Sequence, residues 1–250
     1  MKRKPVIQLT HVAKCYLLHH EKPTLVEKLV KGRDEVFWAL GDISLAIEQG
    51  ESVGIVGANG SGKTTLLKII AGIATPSRGH VAVDGTIVSL IDLAAGFHPE
   101  LSGEQNIYLN GMILGMTRQS IAKKILSIIR FADIGQFIDA PLYTYSDGMK
   151  LRLGFAIAIA AEPDILILDE GISIGDINFQ LKSQQYLRSF RRAGKTLLVV
   201  EHRLNYIRQY CTRILLMEQG NIIADGDTSL LDVYRKNSLV KKHPSYGRAR

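Results

Sequence analysis

The chain carries Gly57-Ala58-Asn59-Gly60-Ser61-Gly62-Lys63-Thr64, which fits the phosphate-loop pattern G-x-x-x-x-G-K-[ST] at every fixed position. Its flanks are those such a loop needs. Ser52-Val53-Gly54-Ile55-Val56 reads as a strand running in. Thr64-Thr65-Leu66-Leu67-Lys68-Ile69-Ile70-Ala71-Gly72 reads as a helix leaving, with Gly72 as its stop. Glycines let successive backbone N–H groups wrap a phosphate chain, and the helix N-terminus adds positive partial charge. The pattern assigns Gly57, Ala58, Asn59, Gly60, Ser61, Gly62, Lys63, Thr64 and Thr65 to nucleotide binding. Lys63 is expected to reach the terminal phosphates, and the Thr64 hydroxyl to ligate Mg2+. The bland alternative is a Gly-rich turn beside a lysine. A strand and a helix in their required places weigh against it, and the implied ligand is a nucleoside triphosphate.

At 250 residues the chain suits one or two domains with a full core. No apolar run is long enough to cross a bilayer; the longest, Phe155 to Ala161, lies between Arg152 and Glu162 and reads as a buried helix. The basic start Met1-Lys2-Arg3-Lys4 is not followed by an uninterrupted apolar segment, so a cytoplasmic chain is expected. Cys15 and Cys211 make no metal spacing and read as reduced thiols. The net charge of +7 permits nucleic acid or anionic lipid as a partner, but the basic residues cluster only at the termini, which read first as solvated.

Alternating apolar and polar residues from Val6 to Tyr16 predict a first strand, and Leu17 to Val36 a long surface loop with a short helix at Thr24–Leu29. Trp38–Ile47 resumes as strand. Val81–Val88 reads as a hairpin about Asp84-Gly85. From Gly103 to Ile138 the period becomes helical. Strands return at Ile165–Leu168, Thr196–Val200 and Arg213–Met217, the last followed by a Gln219-Gly220-Asn221 turn and a further short strand. Strands alternating with helices behind a phosphate loop imply an α/β fold with a mostly parallel sheet.

Ile165-Leu166-Ile167-Leu168-Asp169-Glu170 is an apolar strand ending in two acids, as a buried parallel strand would be. Carboxylates there project into the crevice where such sheets bind ligands. Asp169 is placed to hold Mg2+, and Glu170 to polarise an attacking water. Tyr145-Ser146-Asp147-Gly148-Met149 opens another apolar helix. A Ser-x-Gly turn before an apolar helix makes an anion site at a helix N-terminus, but in isolation the ordinary helix cap is the favoured reading.

In this order the motifs closely resemble those of the ABC ATPases over nearly the whole chain. The resemblance implies a P-loop (RecA-like) core with an antiparallel β subdomain and a helical subdomain inserted at about 96–153. One domain would span 1–240, followed by a basic tail at 241–250. It identifies Ser146 and Gly148 with the signature turn that faces the γ-phosphate across a head-to-tail homodimer. Asp169 to Asp176 resembles the second acidic motif and its dimer-contact loop, His202 the catalytic switch histidine, and Tyr16 the aromatic that stacks on adenine. The implied ligands are ATP and Mg2+.

Within the family, Tyr145-Ser146-Asp147-Gly148-Met149, the run from Gly96 to Ile107, Phe179 after Gly175-Asp176, and Phe37-Trp38-Ala39-Leu40 resemble the ATPase subunits that export O-antigen, teichoic acid and related polymers. The resemblance implies a peripheral subunit at the cytoplasmic face of the plasma membrane beneath an integral-membrane permease dimer. The Gly96–Ile138 insert would contact that permease, and a lipid-linked glycan would be handled mainly by it. No nucleic acid is expected as a partner. The rivals are a soluble ABC ATPase acting on ribosomes or DNA, a binding module that senses ATP without turnover, and an ABC exporter of another cargo such as a drug or lipid. The chain ends too soon for the C-terminal carbohydrate-binding domain of some members. Three positions depart from the family pattern. The usual lobe-linking glutamine falls near Asp92 or Leu93, Asp147 places a carboxylate in the signature, and Gly171 replaces a frequent proline.

Overall fold

A computed structural model describes residues 4–18, 35–91, 96–169, 176–201 and 203–242, the last six in backbone only. Two sheets share one core. Strands β1 (Pro5–Leu18), β2 (Glu35–Glu48) and β4 (Arg78–Val83) form an antiparallel sheet in the order β2-β1-β4. The second sheet has six strands in the order β5-β6-β7-β3-β8-β9: β5 (Ile87–Ser89), β6 (Ile165–Asp169), β7 (Thr196–Val200), β3 (Ser52–Gly57), β8 (Arg213–Glu218) and β9 (Asn221–Gly226). All its neighbours run parallel except β9, which turns back on β8. Every residue of β3 and β7 is buried. A parallel sheet covered on both faces explains why these strands read as unbroken apolar runs.

Helix α1 (Lys63–Ile70) follows β3 and packs Leu66, Leu67, Ile69 and Ile70 into the core between the two sheets. Helices α2 (Gly103–Ile113), α3 (Arg118–Ala132) and α4 (Asp147–Ala160) gather around a separate core of Ile107, Ile121, Ile128, Leu142, Leu153 and Ile157. The opposite face of α4 sends Phe155 and Ala158 into the core that covers the parallel sheet. One helix therefore joins the helical unit to the sheet and runs unbroken past residue 153. Helices α5 (Ile177–Arg192), α6 (Leu204–Tyr210) and α7 (Leu230–Lys242) complete the layers.

The chain into α2 is fixed locally. Ser102 and Gln105 form a reciprocal capping box, with Ser102 Oγ accepting from Gln105 N at 3.2 Å and Ser102 N donating to Gln105 Oε1 at 2.9 Å. Asn106 is fully buried and spends its amide on the preceding loop. Its Nδ2 donates to the carbonyls of His98, Leu101 and Ser102, and its Oδ1 accepts from His98 N.

Two expectations need correction. Val81–Val88 is not a hairpin. Val83 pairs with Ile7 in the antiparallel sheet, while Ile87 pairs with Ile165 in the parallel one, so the chain changes sheets at Asp84–Thr86. Asp164 takes the donors at this crossing: its Oδ2 accepts from both N and Oγ1 of Thr86 at 2.9 Å. The second correction concerns Leu17–Val36. Strand pairing continues through Leu17↔Val36 and Leu18↔Glu35, so both ends of the expected loop are strand. The helix expected at Thr24–Leu29 and the end of the basic tail lie outside the described residues.

Candidate functional site: a phosphate loop and its carboxylate

The loop from Gly57 to Lys63 joins central strand β3 to α1, at the C-terminal edge of the parallel sheet. Gly62 is the N-cap of α1 with φ 101°, and Gly60 has φ 77°. A Cβ at Gly62 would lie 2.7 Å from the Ala39 carbonyl and 2.9 Å from Leu40 Cδ2, whereas one at Gly60 would meet nothing within 4 Å. Lys63 is buried, and its Nζ donates to the carbonyls of Gly57 and Ala58 at 2.9 Å. Its ammonium is thus held over the loop. Ser61 is also buried, and among the described residues its Oγ has no hydrogen-bond partner. A buried hydroxyl of this kind normally finds a partner, and a phosphate oxygen or an ion's ligand shell supplies one. The β8–β9 turn braces the loop from behind: Gly220 N donates to Ser61 O at 3.0 Å, and Gly220 O accepts from Gly41 N at 2.9 Å.

The strand reading of Asp169 brings it to this loop. Thr64 Oγ1 donates to Asp169 Oδ2 at 3.1 Å, across 105 residues of sequence. A hydroxyl and one carboxylate at the mouth of a phosphate loop suit Mg2+. That ion prefers oxygen ligands and is usually bound through one or two carboxylates plus substrate phosphates. Among the described residues there is no cluster of three or more His, Cys, Asp or Glu for a protein-only metal site.

Beside the loop lies a recess of about 290 Å³ lined by Phe37, Ala39, Gly60, Gly62, Lys63, Thr64 and Thr65. Phe37 is half exposed. It stands opposite Tyr16 in the β1–β2 register, so the two rings share a sheet face. Tyr16 is 40% exposed, and Lys14 Nζ lies 5.1 Å from its ring centroid. Phe37 lines the recess and Tyr16 does not; sequence reasoning named Tyr16 and passed over Phe37. The signal was the register itself, which a loop assignment beginning at Leu17 concealed.

Residues 145–149 of the signature motif line no part of this recess. Ser146 is the N-cap of α4, its Oγ accepting from Met149 N at 3.2 Å. Asp147 is therefore not the cap. Its side chain is 97% exposed in the first turn, with its Oδ1 3.7 Å from Lys150 Nζ. A Cβ at Gly148 would meet only Ser146 Oγ, at 3.9 Å, so the turn presents open backbone. Tyr145 is buried and donates its hydroxyl to Phe137 O. Gly103 leaves the space this hydroxyl occupies, so the two residues are complementary. Burial raises the Tyr145 pKa, which keeps the phenol a donor.

A family model described as ABC transporter matches residues 40–173. The chain belongs to the ABC transporter family. It is 38% identical over 243 residues to the O-antigen export system ATP-binding protein RfbB of Klebsiella pneumoniae, covering 93% of this chain and 98% of that one. It is 39% identical over 225 residues to the teichoic acids export ATP-binding protein TagH of Bacillus cereus, covering 89% of this chain but only 41% of that longer relative. Among solved structures, a dimeric post-hydrolysis state of the ATP-binding cassette MJ0796 bound to ADP and Pi superposes with TM-score 0.71 at 25% identity. It covers 89% of this chain and 98% of that one.

As an ABC ATPase the chain has its phosphate loop and first carboxylate assembled, and these are what a nucleotide needs to bind. Glu170 and His202 lie outside the described residues, as do Asp92 and Leu93. Their neighbours are placed. Asp169 pairs with Val200 across β6 and β7, so the chain leaves both strands at one edge of the sheet, beside Thr64. Among the described residues no helix is long and apolar enough to cross a membrane.

Proposed function

We propose that this chain is the ATP-hydrolysing subunit of a bacterial exporter of lipid-linked surface polysaccharide, such as O-antigen or teichoic acid. It works as a homodimer on the cytoplasmic face of the plasma membrane, beneath a separate permease dimer. The observation that carries the cargo class is the Klebsiella O-antigen export relative, which matches at 38% identity over nearly the full length of both chains. The dimer is supported by the dimeric MJ0796 cassette.

In this reading the loop amides from Gly57 to Thr65 and the Lys63 ammonium hold the phosphates of ATP. Phe37 and Tyr16 offer their rings to the adenine. Thr64 and Asp169 hold Mg2+, which when bound neutralises phosphate charge. Ser146 and Gly148 of the partner subunit complete the site on its far side. Glu170 takes a proton from the attacking water, and His202 orients the reacting end of the chain of phosphates.

Glu170→Gln tests both chemistry and cargo. The amide keeps the shape but is a poor base, so the variant should bind ATP, form an ATP-dependent dimer by light scattering, and not turn over. Cells relying on it should lose surface polysaccharide and retain it inside on its lipid carrier. Undiminished turnover removes Glu170 from the mechanism. Normal surface polysaccharide with impaired drug or lipid efflux assigns a different cargo.

A further inference from the structure

Tyr145 stands directly before the Ser146–Gly148 turn and is buried. Its hydroxyl donates to Phe137 O in the single turn Gly135–Phe137, and its ring meets that of Phe137 edge to face, with centroids 6.3 Å apart. The room for the hydroxyl comes from Gly103, the first residue of α2. A Cβ there would collide with the Tyr145 hydroxyl and would lie 3.0 Å from Ile138 O and 3.2 Å from Tyr145 Cζ. One phenol therefore meets both the start of α2 and the turn at Phe137. The backbone leading to it is zipped to the same place. Glu104 N donates to Ile138 O at 3.0 Å, Gly103 N to Ala140 O at 3.2 Å, Leu142 N to Leu101 O at 2.9 Å and Tyr143 N to Pro99 O at 3.0 Å.

The chain after Tyr145 is packed more loosely. Residues 146–152 include none that is buried, and the next buried side chain is Leu153. Asp147 is exposed, and the backbone at Gly148 is open. The first turn of α4 thus projects beyond the helix's packed length. Ser146 closes it from within, its Oγ accepting from Met149 N and its O from Lys150 N, but these bonds move with the turn. The second turn is tied to α3 by Arg152, whose Nε donates to Ala132 O at 3.0 Å. On the other side of the first turn the anchor is Tyr145. We propose that Tyr145 is a positioning residue whose hydroxyl fixes where the Ser146–Gly148 turn stands relative to α2, and so where that turn meets the partner subunit's ATP. The inference rests on the homodimer proposed above. A phenylalanine fills the place of the ring but loses the bond, so the aim of the turn broadens. The recess at the phosphate loop, which these residues do not line, keeps its shape.

The test uses the full chain and the substitutions Tyr145→Phe, Gly103→Ala and the two together. The quantities measured are the thermal midpoint, binding of a fluorescent ATP analogue to the monomer, kcat, and the concentration of a non-hydrolysable ATP analogue that gives half-maximal dimer by light scattering. All but the first are taken well below the midpoint. Tyr145→Phe should lower the midpoint by about 2–4 °C. It should leave monomer affinity within about twofold, lower kcat by roughly three- to tenfold, and raise the nucleotide needed for the dimer by a similar factor. Gly103→Ala drives the hydroxyl from its place and should lose at least as much. Adding Tyr145→Phe to it should restore part of that loss, because the collision goes with the hydroxyl. This pair carries the test if Tyr145→Phe alone folds poorly. Wild-type kcat and dimer formation in folded Tyr145→Phe overturn the proposal whatever the midpoint does, because a merely structural hydroxyl shows only there. So do additive losses in the double variant, or a fall in monomer affinity that accounts for the fall in kcat. A wild-type chain with no nucleotide-dependent dimer overturns the homodimer reading and this inference with it.

Discussion

Gly60 and Gly62 lie in the same loop, both with positive φ, and the structure expects alanine to behave differently at each. At Gly60, φ 77°, a Cβ meets nothing within 4 Å. The cost is the conformational one, about 1–2 kcal/mol for an L side chain in the left-handed region. It is offset by about 0.4–1 kcal/mol from a stiffer unfolded chain, leaving a net loss of about 1 kcal/mol. At Gly62, φ 101°, the same terms apply, but the Cβ also presses on the Ala39 carbonyl at 2.7 Å and on Leu40 Cδ2 at 2.9 Å. Neither neighbour can yield cheaply: one is backbone of β2, the other a fully buried core side chain. Overpacking of this kind adds about 1–3 kcal/mol, so Gly62→Ala should cost about 3 kcal/mol in all. Against a domain stability of about 5–15 kcal/mol the difference is easily measured. Denaturant unfolding of both variants, compared at midpoint with the slope checked for constancy, is the assay. Gly62 O also accepts the first helical bond, from Leu66 N at 2.9 Å, so the displaced loop should unseat Lys63 and Thr64 and weaken ATP binding. Equal destabilisation at the two positions would refute the reasoning, because only Gly62 has anything to collide with.

Lys63→Ala removes the ammonium held over the loop and should weaken ATP binding by at least tenfold, the loss of one charge-assisted phosphate contact of about 1.5–3 kcal/mol; titration calorimetry that finds wild-type affinity removes Lys63 from the site. Asp164 has its pKa lowered to about 2, by its bond from Lys195 and then by the two Thr86 donors, so it stabilises the fold at neutral pH. That contribution should decline as pH falls below about 4 and be lost only as pH passes through and below about 2. For a half-exposed pair it is worth about 1 kcal/mol after screening, so Asp164→Asn should lower stability by that amount at pH 7 and by progressively less as pH falls through about 2. Asp147→Ser should raise ATPase activity at low salt if the exposed carboxylate opposes the partner's γ-phosphate, with a gain that shrinks as salt rises. Lys150→Met, which removes the neighbouring cation, should deepen the brake, and flat activity in both variants across ionic strength would show that Asp147 does not act on closure.

The parallel sheet and the loop at its centre were legible because burial on both faces leaves unbroken apolar strands, and because the loop's glycines are fixed by geometry. The place of Asp169 was legible for the same reason: a buried strand has one polar end, and that end meets the phosphate loop at Thr64. The features that sequence missed are those decided by which sheet a strand joins. Alternation on either side of Asp84-Gly85 is identical for a hairpin and for two strands in different sheets; what selects between them is Asp164, a residue distant in sequence that takes the Thr86 donors. Phe37 was invisible for a related reason, since its place beside Thr65 follows from its register with Tyr16. The helix cap at the signature was within reach of sequence reasoning, yet Asp147 competes with Ser146 on composition alone. Only the Met149 N to Ser146 Oγ bond decides it.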